Sequence, residues 1–96
     1  MIGLLYQMVA WEDLRVELRA ALEDLAAELQ ALPGFQGAEL MENAQALGRF
    51  AFLERWVSRD AYAQAGPSMP KAVLSQVMAL LDCPPERTIY EIHPHE

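Results

Sequence analysis

The chain has 96 residues, of which 53% are hydrophobic, and a formal net charge of −7. This length suits one domain, residues 1–96, and the apolar content excludes a disordered chain. The acidic charge and the scattered arginines argue against nucleic acid or an anionic membrane as a partner.

The single cysteine, Cys83, has no partner for an internal disulfide. We therefore expect a cytoplasmic protein, because thiols stay reduced there. The apolar opening, residues 1–10, is too short to span a bilayer and lacks the cationic start of a signal peptide. The only histidines, His93 and His95, flank Pro94 in a polar tail, so we expect no metal site.

The first half of the chain predicts a strand, a helix and a second strand. Ile2 to Val9 alternates as a strand with apolar residues on both faces. A helix of about five turns follows, with Glu12 and Asp13 in its first turn and Pro33-Gly34 as its stop. Its buried stripe consists of leucines at spacings of three and four, namely Leu14, Leu18, Leu22, Leu25, Leu29 and Leu32. Phe35 to Glu42 is the second strand.

The second half of the chain also predicts a strand, a helical segment and a strand. Residues 43–48 predict a hairpin loop, and Arg49 to Val57 is the third strand. Ser58 is the expected N-cap of a short helix that ends at Ala65. Residues 66–68 interrupt the helix, which resumes near Pro70 with a buried stripe of Val73, Leu74, Val77, Met78 and Leu81.

Arg87 to His93 is the last predicted strand. The element order is therefore βαββαβ, which predicts an α+β, ferredoxin-like fold. Right-handed crossovers place the first and third strands at the centre of a four-stranded antiparallel sheet, with the helices on one face. The central strands are apolar on both faces, so we expect a second copy of the chain to cover the other face and form a homodimer.

A resemblance to a known family rests on three segments. They are the end of the leucine-striped helix, Leu32-Pro33-Gly34-Phe35, the strand Phe50-Ala51-Phe52-Leu53-Glu54-Arg55-Trp56, and Ser58-Arg59-Asp60-Ala61-Tyr62. The chain resembles the antibiotic biosynthesis monooxygenase domain family of the dimeric α/β-barrel superfamily over nearly its whole length. The resemblance implies a homodimer. The family includes cofactor-independent oxygenases of phenolic or quinone-forming substrates, so the resemblance also implies that no cofactor is needed.

The haem-degrading relatives in this superfamily depend on an Asn late in the first strand, a Trp in the second helix and a ligating His. In this chain the Asn position falls at Gln7 and the Trp position at Ala65, and no His occurs between Met1 and Ile92. The resemblance therefore argues against haem degradation by that mechanism.

A cofactor-free oxygenase needs an aromatic-binding pocket, a group that accepts a phenolic proton, and apolar walls. Glu54 and Gln7 are the candidate catalytic residues, because both are polar in otherwise apolar strand patterns. The candidate substrate-binding residues, expected with them between sheet and helices, are Trp11, Trp56, Tyr62, Met69 and Tyr90. We favour plain core packing, with the indole N–H satisfied, for Trp56 and anchoring of the short helix for Tyr62, and the break at Met69 is also compatible with ordinary loop variation.

Glu54 has three interpretations: a paired structural carboxylate, a desolvated general base, or a carboxylate exposed near a sheet edge. A structural carboxylate would be paired, with Arg55 or Arg49 nearby or with two or more donors; a general base would border a cavity, with its pKa raised by burial. We favour the paired carboxylate. For the whole protein, the alternative to an oxygenase is a non-catalytic dimeric ligand-binding or structural module. A cavity of about 300 Å³ or more beside Gln7, Glu54 and Trp56 would favour a ligand.

Overall fold

The computed structural model describes residues 1–95 and contains four strands and three α-helices in the predicted order. The elements are β1 (Ile2–Val9), α1 (Arg15–Leu29), β2 (Phe35–Glu42), β3 (Arg49–Trp56), α2 (Arg59–Ala65), α3 (Lys71–Ala79) and β4 (Glu86–Glu91). A short 3₁₀ turn, Gly66–Ser68, separates α2 from α3.

The four strands form one antiparallel sheet in the order β2-β3-β1-β4. The central pair is therefore β1 and β3, which confirms the predicted ferredoxin-like topology. Leu4 of β1 lies opposite Glu54 of β3, and Tyr6 lies opposite Phe52. Residues directly opposite in antiparallel strands share a face. This face is the one that the helices cover, since Leu4, Phe52 and Glu54 are buried.

The core lies between this face of the sheet and α1. The leucine stripe of α1 supplies Leu18, Leu22, Leu25 and Leu29, which are all buried, as the spacing predicted. Phe52 and Trp56 of β3 pack against it from the sheet. The last helix contributes less than expected: Val77 is buried, but Met78 is 52% exposed.

The prediction was wrong about both ends of α1. The helix begins at Arg15, because the chain first makes a turn in which the Leu14 amide donates to the Trp11 carbonyl and Asp13 has a φ of 69°. It ends at Leu29, and the Leu32 amide donates to the Leu29 carbonyl in a tighter turn. Pro33 disfavours helical backbone at the residue before it, which explains why the last turn tightens.

The segment from 58 to 79 follows the prediction closely. The Ser58 hydroxyl accepts from the Ala61 amide at 3.0 Å and caps α2. Gly66–Ser68 then interrupts the helix, since Pro67 has no amide hydrogen for it. The chain resumes as α3 at Lys71, so this break brings Met69 over the core at its edge.

The opposite face of the sheet carries no helix within residues 1–95, and we call it the open face. The open face presents apolar side chains that are only partly covered, among them Leu5, Val9, Leu53, Tyr90 and Ile92. The last strand is shorter than predicted, and His93 lies beyond it.

Candidate active site

A cavity of about 150 Å³ lies between the helix-covered face of the sheet and the helices. We call it the inner cavity. Its walls are mostly apolar and come from both layers, including Met8, Leu22, Leu25, Leu29, Phe52, Met69, Leu74, Val77 and Met78. The polar residues that line it are Tyr6, Glu54 and Tyr62. The cavity is thus an apolar space with hydroxyl and carboxyl groups in its wall.

Glu54 is the one charged residue among the buried side chains of residues 1–95, and only 5% of it is exposed. Its Oε1 accepts a hydrogen bond from Trp56 Nε1 at 2.9 Å. Burial raises the pKa of the Glu54 carboxyl, and the Trp56 hydrogen bond and the more distant Arg87 oppose this only in part. The carboxyl therefore borders the inner cavity in a state that holds a proton more readily than an exposed glutamate does.

The favoured interpretation of Glu54, a carboxylate paired with an arginine or with two or more donors, was wrong. Arg55 instead pairs with Glu39 at 2.6 Å, on the open-face side of the hairpin. Arg49 lies at the far end of β3, opposite Val9. The donor within hydrogen-bonding distance of Glu54 is the neutral indole of Trp56 alone, among the residues that the structure describes. These are the surroundings expected of a general base.

A chain of hydrogen bonds leads from the inner cavity to the surface. Tyr6 Oη and Tyr62 Oη lie 3.3 Å apart, and Arg87 Nη1 donates to Tyr62 Oη at 3.0 Å. Burial and the nearby Glu54 carboxylate raise the pKa of Tyr6, so this phenol stays protonated. Because arginine can only donate, its bond makes the Tyr62 hydroxyl a better donor toward Tyr6.

The aromatic residues around Glu54 fix its position. Trp56 is fully buried and makes edge-to-face contacts with Phe35 and Tyr62, with ring centroids 5.3 and 5.5 Å apart. Trp56 reaches the site through its N–H rather than by lining the cavity. Its orientation is set by packing, and that packing also orients the carboxyl of Glu54.

Three predicted site residues lie elsewhere. Gln7 is exposed on the open face, opposite Ala51, so it does not share a pocket with Glu54. Tyr90 is 50% exposed on the same face, opposite Gly3. Trp11 is 50% exposed in the turn before α1. The expected single pocket is thus divided: Glu54, Tyr62 and Met69 line the inner cavity, but Gln7, Trp11 and Tyr90 do not.

A second cavity, of about 420 Å³, lies at one end of the open face and is lined by Gln7. Arg49, Glu86 and the exposed Cys83 are also in its wall. The larger volume therefore lies beside Gln7, and the smaller one lies beside Glu54. By the criterion of about 300 Å³, the cavity beside Gln7 is large enough to favour a ligand, and the cavity beside Glu54 is not.

Tyr6 and Arg87 belong to the site, but the sequence did not single them out. Tyr6 fitted the pattern as one apolar position of a strand, and Arg87 as the start of the last strand. They lie directly opposite each other across β1 and β4, and this pairing brings Arg87 to the hydroxyl of Tyr62. The only indication in the sequence was that Tyr6 and Arg87 are polar residues at strand positions that face the helices.

Residues 1–95 contain neither a cluster of metal-ligating side chains nor a membrane-spanning helix. No group of three or more His, Cys, Asp or Glu side chains is arranged to hold a metal ion. No helix in this part of the chain is both long enough and apolar enough to cross a membrane.

The family model for antibiotic biosynthesis monooxygenases matches residues 1–66. The chain belongs to the antibiotic biosynthesis monooxygenase family. The matched segment runs from β1 through α2 and includes Tyr6, Glu54, Trp56 and Tyr62. Arg87 lies beyond it. A comparison with curated proteins finds no match.

Solved structures of family members and related proteins share this fold. Rv0793 from Mycobacterium tuberculosis is 25% identical, with a TM-score of 0.82, over 98% of this chain and 96% of that one. SnoaB from Streptomyces nogalater, a cofactor-independent oxygenase, is 16% identical, with a TM-score of 0.84, over 98% and 94%. A conserved protein from Methanosarcina mazei is 17% identical, with a TM-score of 0.82, over 93% and 89%. The last two likenesses show the fold alone.

Proposed function

We propose that this protein is a cofactor-independent oxygenase or oxidase that acts on a small phenol or hydroquinone in the inner cavity. The observation that carries the proposal is Glu54, a buried carboxyl with a raised pKa that borders an apolar cavity and has one neutral donor. A carboxyl whose pKa is raised by burial beside a cavity is a candidate acid–base catalyst. The fold shared with SnoaB adds support from a relative that is described as a cofactor-independent oxygenase.

The chemistry assigns the first step to Glu54. Its ionised carboxyl accepts the phenolic proton of the substrate, and the resulting phenolate is the electron-rich form that reduces O₂. A hydroquinone that gives up two electrons and two protons becomes a quinone, while O₂ becomes hydrogen peroxide. If one oxygen atom instead enters the ring, the products are a hydroxyquinone and water. Both reactions balance without an added reductant.

Tyr6 is the second residue of the proposed mechanism. Because Arg87 donates to Tyr62, and Tyr62 in turn can donate to Tyr6, the proton of the Tyr6 hydroxyl is available to the cavity. A donor at this place stabilises the phenolate oxygen as its charge develops. The raised pKa of Tyr6 keeps it a donor while Glu54 is ionised.

Oxygen uptake with a hydroquinone tests the proposal. We expect the protein to accelerate O₂ consumption by 2-methylhydroquinone above the rate with heat-denatured protein, and to form peroxide or a hydroxyquinone. Glu54→Gln should abolish this acceleration, whereas Glu42→Gln, a carboxylate on the β2–β3 hairpin outside the inner cavity, should retain it. A Glu54→Gln protein as active as the unmodified chain would overturn the proposal.

A second candidate is a non-catalytic dimeric structural module of the same fold. The volume of the inner cavity favours it, because about 150 Å³ is below the 300 Å³ or more typical of ligand pockets. A protein that neither binds phenols saturably nor accelerates O₂ uptake would have this function.

We also propose that the protein is a homodimer that joins through the open face. Leu5 and Leu53 lie opposite each other on that face, and Ile92 packs beside Leu53 around Gly3. Such a contiguous apolar surface is typical of a subunit interface. A cytoplasmic location remains our expectation, and the exposed free thiol of Cys83 supports it.

A further inference from the structure

We infer that Met78 is an oxidation site through which peroxide controls the binding of phenols in the inner cavity. The inference rests on the proposed function only for the binding of a phenol there, and it adds a means of regulation. Three observations carry it: the exposure of Met78, its place in the wall of the cavity, and the apolar character of that wall.

The five methionines of the chain differ in exposure and in place. Met1, Met41 and Met78 are 50%, 43% and 52% exposed. Met8 is buried, and Met69 is half-buried. Met8, Met69 and Met78 line the inner cavity, while Met41 lines the second cavity on the open face. Among residues 1–95, Met78 is therefore the one methionine that is both exposed and part of the wall of the inner cavity.

The position of Met78 along α3 brings it to the cavity. Leu74 and Met78 are four residues apart in this helix and so lie on one face of it. Both line the inner cavity, and Met78 is the exposed member of the pair. The side chain of Met78 is thus reached by water on one side and borders the ligand space on the other.

Hydrogen peroxide is the oxidant, and the proposed oxidase reaction itself forms it. A lone pair on the Met78 sulfur attacks one peroxide oxygen, so that an S–O bond forms and the O–O bond breaks. The departing hydroxide takes the proton from the transferred oxygen and leaves as water. Sulfur loses two electrons and peroxide gains them, so the products are methionine sulfoxide and water.

The sulfoxide makes the opening of the cavity polar. Its S–O group needs a hydrogen-bond donor, and an apolar wall offers none. Leu74 and Val77, which line the cavity from the same helix as Met78, are both apolar. The modified side chain must therefore keep its oxygen in water, and it no longer covers an apolar ligand. The affinity for a phenol falls, while the core, to which Met78 does not belong, stays folded.

Peroxide treatment followed by calorimetric titration tests the inference. Every protein carries Cys83→Ser, because the exposed thiol also reacts with peroxide. Trypsin cuts after Lys71, so mass spectrometry of the peptides reports Met69 and Met78 separately. We expect complete oxidation of Met78 to weaken the binding of 4-methylphenol about tenfold, which is the order of the cost of an unsatisfied polar group.

Repair of the sulfoxide is the second arm of this experiment. Treatment of the oxidised protein with the two methionine sulfoxide reductases, one for each epimer, should restore the affinity. Unchanged affinity after complete oxidation of Met78, no recovery after repair, or no saturable binding to the untreated protein would overturn the inference.

Three variants identify the responsible sulfur. Met78→Leu keeps an apolar side chain of similar size, so it should bind 4-methylphenol as before and keep its affinity after peroxide treatment. Met78→Gln is polar from the start and should bind weakly without peroxide. Met41→Leu is the matched control, because Met41 is nearly as exposed but lies outside the inner cavity, and it should lose affinity like the parent protein. Equal losses in Met78→Leu and Met41→Leu, or tight binding by Met78→Gln, would contradict the inference.

Oxygen uptake by the same proteins separates this inference from the proposed function. Peroxide-sensitive binding of 4-methylphenol without accelerated oxidation of 2-methylhydroquinone would leave the inference standing and remove the oxygenase. Accelerated oxidation at a substrate concentration below KM that persists unchanged when Met78 is fully oxidised would keep the oxygenase and remove the inference.

Discussion

At the scale of single residues, Glu54 combines a structural cost with a chemical opportunity. The carboxyl is withdrawn from water by the core, and one indole N–H compensates only part of that loss. Burial without a charged partner is destabilising for an ionised group. A buried carboxyl that lowers stability when it is ionised, and that borders a cavity, is typical of a proton-accepting residue.

The pH dependence of stability follows from the raised pKa of Glu54. In the unfolded chain this carboxyl titrates near 4.5, and in the folded chain at a higher pH. The contribution of protonated Glu54 to the stability of the folded chain is therefore fully present below pH 4.5, and it is lost as the pH rises through the raised pKa. Glu54→Gln stays neutral and keeps a carbonyl for Trp56, so at pH 8 it should melt at a higher temperature than the unmodified chain. The gain in unfolding free energy is about 1.4 kcal/mol for every tenfold by which folding strengthens proton binding at this carboxyl.

Thermal melts at pH 4 and pH 8, at one protein concentration, measure this effect. Glu42→Gln is the control of opposite sign, because the Gly48 amide and then Arg15 lower the pKa of Glu42. Its contribution is present above pH 4.5 and is lost as the pH falls, so Glu42→Gln should melt lower at pH 8. A Glu54→Gln protein that melts below the unmodified chain at pH 8 would show that the carboxylate is stabilising.

The same raised pKa predicts the pH profile of turnover. Glu54 must be ionised to accept the phenolic proton, so kcat/KM for 2-methylhydroquinone should rise with pH through the raised pKa, above the ordinary value of 4.5. The rate without protein must be subtracted at each pH. A profile that is flat from pH 5 to 8, or that falls over this range, would argue against Glu54 as the base.

At the scale of secondary-structure elements, a close contact between the start of β2 and α2 supports the site. Gly34 has a φ of 87°, and a Cβ placed there would lie 2.6 Å from the Cβ of Ala61 in α2. The next residues of α2 include Tyr62, which contacts Trp56 and Tyr6. The approach of this glycine therefore sets how closely α2 carries Tyr62 to the cavity.

Two glycine variants separate backbone strain from this contact. Gly37 also has a positive φ, 125°, but a Cβ there meets nothing within 4 Å. We expect Gly37→Ala to cost about 1–2 kcal/mol from strain alone, and Gly34→Ala to cost about 1–3 kcal/mol more because α2 must move. Urea unfolding monitored by circular dichroism measures both. Equal losses in the two variants would mean that the contact with Ala61 is unimportant.

The strand pattern was predictable because its period is local, whereas the composition of the cavity was not. The bounds of β1 and β2 match the structure, since the alternation lies within each segment and Pro33-Gly34 directly precedes β2. Whether Gln7 shares a face with Glu54 depends instead on the pairing of β1 with β3, which is a long-range property. The role of Arg87 was not predictable for the same reason, because Arg87 reaches Tyr62 only through the long-range pairing of β4 with β1.

At the scale of the whole molecule, the two faces of the sheet differ in how far they are covered. The helices cover one face completely enough that Met8, Phe50 and Phe52 are buried. The open face leaves a line of apolar side chains with intermediate exposure, including Leu5, Val9 and Leu53. A small acidic domain with such a face is expected to associate, because the apolar surface outweighs the dispersed charge.

The proposed dimer makes a specific prediction for Leu53. The unmodified protein should sediment as a dimer at micromolar concentration, with about 1,200 Å² or more buried in total. Leu53→Arg places a charge in the middle of the open face, opposite Leu5, and should shift the protein to a monomer. Val16→Arg is the matched control, since Val16 is an apolar residue 51% exposed on α1, and it should leave the dimer intact. An unmodified chain that sediments as a monomer, or a dimer that Val16→Arg dissociates and Leu53→Arg does not, would place the interface elsewhere or remove it.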